Sequence, residues 1–268
     1  MGLLEEICAE RKADSRRDAL ERPWTSLERN AGPARRAFIS GSGPLLIAEC
    51  KRASPSRGLI ASGYDPAALA AAYERGGAGM VSVLTEPRRF LGADAHLAAV
   101  REAVSIPVLR KDFIVDPYQI KEAWSLGADA VLLIAAALDR GQMFELAACA
   151  RELSLQVLLE IHAEGELPAA MAAMPDALGV NARDLRSLAV DPSLPGRLIG
   201  LLPAQIFAVA ESGMSTPESA AALRRAGYDG FLVGEAFSRS REPEHVVRAF
   251  IAALRATGPV AAAPEDGI

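Results

Sequence analysis

Short runs rich in Val, Ile, Leu and Phe alternate along this chain with stretches whose apolar residues recur every three or four positions. The runs fall at residues 45–50, 80–84, 107–110, 130–134, 156–161, 178–181, 206–210 and 231–233, and their length and composition predict eight strands. Between them, residues 67–75, 118–126, 144–153 and 218–226 carry apolar positions at helical spacing. Three helix starts are marked by a capping oxygen ahead of a proline, at Asp65-Pro66, Asp116-Pro117 and Thr216-Pro217. Gly76, Gly127 and Gly227 stand where a left-handed helix end is expected, and GGAGMVSVL, GADAVLLI and GYDGFLV repeat one phrase of helix end, glycine and strand.

Strand and helix in regular alternation predict parallel strands joined by crossovers, and about 250 residues is the usual size of a (β/α)8 barrel. A doubly wound open sheet is the structural rival, but no run is followed by GxGxxG, and about six strands would suffice for it. The predicted fold is therefore an α/β (β/α)8 TIM barrel, a single domain over residues 1–257. It includes an N-terminal helical extension, residues 2–38, of one or two helices with Leu3, Leu4 and Ile7 on one stripe. The extension suits either the base of the barrel or its mouth, and the sequence leaves both open. Residues 258–268, GPVAAAPEDGI, are predicted to be a flexible tail.

Composition narrows the function. Half of the 268 residues are hydrophobic and 24% are charged, enough apolar material for a large core. A net charge of -5 and a pI of 5.4 leave no basic excess for a nucleic-acid backbone or an anionic membrane. The longest apolar runs fall short of the ~18 residues of a membrane span, and the charged start MGLLEEICAERK lacks the apolar core of a secretory signal. A cytoplasmic protein is expected. Cys8, Cys50 and Cys149 have no paired spacing, which argues against a disulfide framework or a CxxC metal site.

Barrel enzymes do their chemistry at the C-terminal ends of their strands. Here the runs finish with Glu49 and Lys51, Lys111, Glu160, Asn181 with Arg183, and Glu211. Side chains alternate along a strand, so Glu49 and Lys51 share a face while Cys50 points the other way, and Lys111 goes with Leu109 and Phe113. Polar residues resume wherever strands end, and that bland account suffices for His162 and for Arg110 and Asp112, a pair expected on the outward face. It is weaker for five strands together, because inward charges require partners or a ligand to offset desolvation. Lysines and glutamates around one pocket suit general acid-base work. Two glycine phrases, ESGMS with Ser212 and Gly213, and LVGEA with Gly234 and Glu235, follow the last two runs, where barrels often bind phosphate through backbone N–H groups.

The phrases IAECKRASPSRG, LRKDFIVDPYQI, LLEIHAEGEL, LGVNARDL, AVAESGMSTPE and GFLVGEAFSR, in this order, resemble the indole-3-glycerol-phosphate synthase family from the N-terminal helix to about Leu254. The resemblance implies a carboxy-lyase of tryptophan biosynthesis that closes the indole ring of 1-(2-carboxyphenylamino)-1-deoxyribulose 5-phosphate with loss of CO2 and water. It implies Lys111 as the general acid on the ketone oxygen and Glu160 as acid or base in the dehydration. Glu49 and Lys51 would be a second acid-base and orienting pair, with Asn181 and Glu211 holding substrate hydroxyls and the lysines. Arg183 and Lys51 would face the substrate carboxylate, Ser54, Phe90 and Phe113 would line the aromatic pocket, and Lys51, Ser212, Gly213, Gly234 and Glu235 would surround the phosphate. It implies neither metal nor cofactor, and a monomer whose partner is a phosphorylated small molecule, with no nucleic acid and no membrane. The chain departs from the family at Glu235, where some members carry Ser, and at RRFLGAD, where Gly-Gly-Ser is common.

Three other readings remain beside this one. Phosphoribosylanthranilate isomerase chemistry resembles a Cys and Asp pair, for which Cys50 has the wrong parity. A Schiff-base aldolase would use Lys111 or Lys51 as nucleophile. A sugar-phosphate-binding barrel without activity would be expected to lack Lys111 or Glu160, and both are present.

Overall fold

A computed structural model describes residues 2–29, 31–32, 34–39, 43–60 and 63–258; the tail expected beyond Gly258 lies outside the described residues. Eight parallel strands close into a barrel in sequence order. They are β1 (Leu45–Cys50), β2 (Met80–Leu84), β3 (Val108–Lys111), β4 (Ala130–Ile134), β5 (Gln156–Ile161), β6 (Ala177–Asn181), β7 (Phe207–Glu211) and β8 (Gly230–Val233). The helices are α1 (Leu3–Glu21), α2 (Pro66–Gly76), α3 (Asp94–Ala103), α4 (Pro117–Ser125), α5 (Arg140–Glu152), α6 (Leu167–Ala172), α7 (Leu194–Leu198), α8 (Pro217–Ala226), α9 (Glu235–Ser238) and α10 (Pro243–Ala256). The predicted runs match the strands to within a residue. The small shifts matter at β3 and β7, where Lys111 and Glu211 are the last residues inside the ladder and so inherit its rigidity.

Alternation along each strand sorts the core into two. Ile47, Met80, Leu109, Leu132, Leu158, Val209 and Leu232 fill the barrel, while Leu46, Val81, Val131, Val157 and Val180 face the helices, as expected of strands buried on both faces. Asp65, Asp116 and Thr216 each accept a backbone N–H of the helix they precede. Gly127 and Gly227 adopt left-handed φ angles of 90° and 117°. At α2 that role belongs to Gly77, with φ 100°, and not to Gly76. Gly76 is the last helical residue, and its missing side chain admits the backbone of Glu244 and the side chain of Val247 from α10.

The extension reaches both ends of the barrel. α1 lies over the mouth: Leu4 and Ile7 are buried against it, and Leu3 is half-buried. One and two turns further, the same stripe becomes ionic. Arg11 grips Asp112 beyond β3 with Nε and Nη2 at 2.9 and 2.8 Å, and Asp14 receives Arg88 from the loop after β2 at 2.6 Å. The chain then descends past α4 and closes the base, where Phe38 packs on Phe207 and the N–H groups of Ala37 and Phe38 both reach Gln156 Oε1 at the start of β5.

Candidate active site

The C-terminal ends of the strands surround a cavity of about 400 Å³. Every residue expected at the site from the sequence lines it: Glu49, Lys51, Ser54, Phe90, Lys111, Phe113, Glu160, Asn181, Arg183, Glu211, Ser212, Gly213, Gly234 and Glu235. Cys50 faces away from the barrel, with its Sγ near the Pro66 carbonyl. That removes the geometry a Cys and Asp acid-base pair would need.

Lys111 is the centre of charge. Its Nζ lies 2.6 Å from Glu211 Oε2 and 3.2 Å from Glu160 Oε2. Burial alone would lower its pKa, but Glu211, Glu160 and Glu49 outweigh burial and raise it, so the ammonium is held charged. The two carboxyls diverge. Burial and the neighbouring Glu160 push Glu211 up, whereas Lys111 and His162 overcome burial at Glu160 and hold it well below the usual carboxylate range. One lysine cation therefore faces a carboxyl held ionised and a second that binds a proton more readily, and Glu211 Oε1 has no hydrogen-bond partner among the described residues. Two glycines provide the room. Glu160 pairs in register with Gly179, where a side chain would meet Glu211 Oε1, and a side chain at Gly234 would meet Glu49 Oε1 and Lys51 Nζ. Those two atoms form a second ion pair, Lys51 to Glu49, at 2.5 Å.

The rest of the wall is aromatic on one side and main chain on the other. Phe90 and Phe113 stand with ring centroids 6.1 Å apart. Phe90 is held by its loop, in which the buried Glu86 carboxylate accepts the N–H groups of Arg88, Arg89 and Phe90. This is how RRFLGAD works without a Gly-Gly pair: Leu91 takes the left-handed turn at φ 51°, and Gly92 packs flat on the Leu84 and Thr85 backbone. Opposite, Ser212 and Gly213 are both left-handed, with φ 59° and 77°, a sharp turn that is strained for serine. Asn181 Oδ1 accepts the Arg183 N–H, and Arg183 Nη1 donates to the Leu188 carbonyl.

Sequence reasoning passed over three residues. Arg57 and Arg239 line the cavity and hold Glu235 Oε1 at 3.1 and 3.2 Å. Arg57 had a signal, since it lies within SPSRG; Arg239 sits on no motif. His162 was read as an ordinary strand-end residue, yet its Nε2 is 3.1 Å from Glu160 Oε1. Arg110 and Asp112 do meet outside the barrel, at 3.4 Å, as parity predicts. Among the described residues, no group of three or more His, Cys, Asp or Glu is arranged to hold a metal ion, and no helix is long and apolar enough to cross a membrane.

A family model described as indole-3-glycerol phosphate synthase matches residues 4–250. Proteins of that name are similar over most of their length. The one from Paenarthrobacter aurescens is 47% identical over 231 residues, 84% of this chain and 85% of that protein. The one from Mycolicibacterium vanbaalenii is 49% identical over 217 residues, 81% of this chain and 80% of its own. Among solved structures, 3-hexulose-6-phosphate synthase from Salmonella typhimurium superposes with a TM-score of 0.66 at 14% identity, covering 80% of this chain and 99% of that one. That likeness concerns the barrel alone.

Proposed function

The chain belongs to the indole-3-glycerol phosphate synthase family, and from that premise we propose how its cavity carries out the family's reaction. The reaction is ring closure of 1-(2-carboxyphenylamino)-1-deoxyribulose 5-phosphate, with decarboxylation and dehydration, in tryptophan biosynthesis. What supports the assignment of roles is one observation: the Lys111 ammonium is fixed between Glu160 and Glu211 at the floor of a pocket walled by Phe90 and Phe113.

The ring carbon bearing the carboxylate attacks the ketone, and Lys111 gives its proton to the oxygen as charge builds there. Loss of CO2 from the same carbon restores the aromatic ring. The new hydroxyl then leaves as water while a proton leaves the neighbouring CH2, with Glu160 as the acid-base partner. Glu49 and Lys51 form a second such pair, and Asn181 and Glu211 orient hydroxyls and the lysines. Lys51 and Arg183 receive the substrate carboxylate, and Ser54, Phe90 and Phe113 hold its ring. The phosphate lies at the turn after β7 and the start of α9, against main-chain donors of Ser212, Gly213, Gly234 and Glu235, with Lys51 beside it. The enzyme acts as a cytoplasmic monomer, one domain over residues 1–257.

The test is to incubate the purified protein with this substrate, without added metal, and follow indole fluorescence. Appearance of indole-3-glycerol phosphate is expected; no product, or a covalent adduct trapped by borohydride, overturns the assignment.

A further inference from the structure

The reaction takes up a proton. The substrate enters as a carboxylate anion and leaves as an indole, CO2 and H2O, so atoms and charge balance only if one hydrogen ion is supplied per turnover. It must reach Lys111 and Glu160, which a bound substrate covers from the mouth.

His162 stands behind them. Its ring is buried and does not line the cavity. Glu160 lies between His162 and Lys111, with Oε1 facing His162 Nε2 at 3.1 Å and Oε2 facing Lys111 Nζ at 3.2 Å. On the far side of the ring, His162 Nδ1 is 4.0 Å from Glu166 Oε2, and that carboxylate is fixed by accepting the His162 backbone N–H at 2.7 Å. The Glu166 side chain is 25% exposed and reaches solvent. Nε2 stands within hydrogen-bonding distance of Glu160 Oε1, whereas Nδ1 completes no hydrogen bond among the described residues and keeps capacity for a proton on the Glu166 side.

We propose that His162 is a positioning residue that relays solvent protons to Glu160. Nδ1 takes a proton on the Glu166 side, Nε2–H passes its own to Glu160 Oε1, and the imidazole returns to its first tautomer between turnovers. This rests on the reading of Glu160 as the acid-base group. The charged groups around the ring are Glu160 on β5, Glu166 after it, Glu211 on β7 and Asp184 beyond β6, with Lys111 on the other side of Glu160. Burial alone would lower the imidazole pKa, but Glu160, Glu166 and Glu211 outweigh it and raise it. The ring therefore stays protonated below that raised value and loses its proton as pH rises through it.

The experiment measures kcat and KM from about pH 6 to about pH 9 in wild type, His162→Gln, Glu160→Gln and His162→Ala with added imidazole. Gln keeps an N–H donor near Nε2 but does not titrate. The expected result is a fall in kcat of about tenfold in His162→Gln, less than for loss of the acid itself, with KM nearly unchanged. The wild-type decline of kcat with rising pH should be absent in that variant, and imidazole should restore His162→Ala in proportion to its concentration. Wild-type kcat and pH profile in His162→Gln, or failure of imidazole to rescue His162→Ala, overturns the relay; an inactive Glu160→Gln then leaves the reading of Glu160 standing. Full activity in Glu160→Gln removes both.

Discussion

Three successive residues at the end of β3 serve two ionic clusters of opposite character. Arg110 and Asp112 face outward into a network in which cations and carboxylates answer one another. The Arg110 guanidinium reaches Asp94, Asp112 and Glu122 and donates to the Gln119 carbonyl, and Thr85 Oγ1 accepts from Arg110 while donating to Asp112. Lys111, between them, faces inward to two carboxyls, one of which has a bare oxygen. The outer cluster uses arginine, which never loses its proton and fills its partners' lone pairs in forks. The inner one uses lysine, a single movable charge, and leaves its hydrogen bonding incomplete. A satisfied buried network holds structure in place; an unsatisfied one has capacity left for a substrate.

The sharpest way to break this contrast is to remove the middle cation. Lys111→Met should cut turnover by about 10²- to 10⁴-fold while substrate binding and melting temperature change little, because Met fills the space and the two carboxyls can share a proton. Near-normal turnover would end the role given to Lys111.

Arg110→Met should do the reverse. It removes the fully buried cation that Asp94, Asp112 and Glu122 share and leaves Asp112 to Arg11 and Glu122 to Arg22, and breaking a buried pair typically costs about 3–5 kcal/mol of stability. Chemical denaturation should show that loss, with kcat per folded molecule far less affected than in Lys111→Met. A variant as stable as wild type would mean that the outer network is not what holds the rim.

Acid should separate the clusters next. Arg88 and Arg11 hold the Asp14 carboxyl at about 2 despite its burial, and Arg11, Arg110 and Thr85 likewise lower Asp112 against burial. A folded pKa below the unfolded one stabilises above the unfolded value and is lost as pH falls through the folded one. α1 should therefore loosen from the mouth between about pH 4 and about pH 2, visible as lost amide protection in Leu3–Glu21 no later than in the barrel strands. Protection of α1 that outlasts the barrel would contradict the ionic clamp.

The smallest effect belongs to Glu235. Its carboxylate is turned to Arg57 and Arg239, so Glu235→Ser should move KM by no more than about twofold, roughly the value of a partly exposed ion pair. Gly234→Val, in contrast, should lower kcat as well as raise KM, since its side chain collides with the Glu49–Lys51 pair as well as with the phosphate's path. A Gly234→Val variant altered in KM alone would restrict that glycine to the phosphate.

Most of the inner cluster was legible because parity and strand ends are local properties. Knowing that Lys111 shares a face with Leu109, and that Glu49 and Lys51 share theirs, is enough once the strands are right. The outer cluster was half legible: the Arg110–Asp112 pair follows from parity, but Arg11 and Asp14 come from a helix about a hundred residues away, on a stripe that turns polar after Ile7. Periodicity follows apolar residues and loses such a helix where its contacts become ionic. Gly76 was taken for the left-handed cap that Gly77 supplies because two glycines adjoin, and only packing against α10 tells them apart. His162 escaped because its significance depends on which way Glu160 turns, and that is decided by Lys111 across the barrel.

Gly179 carries this to a residue with no side chain at all. A Cβ on β6 at that point would occupy the place of the Glu211 carboxylate, so a survey of substitutions scored by activity would rank position 179 among the acids and bases. What the residue contributes is an empty volume, and even alanine, the mildest of replacements elsewhere, would be felt there as the displacement of a carboxyl from beside Lys111.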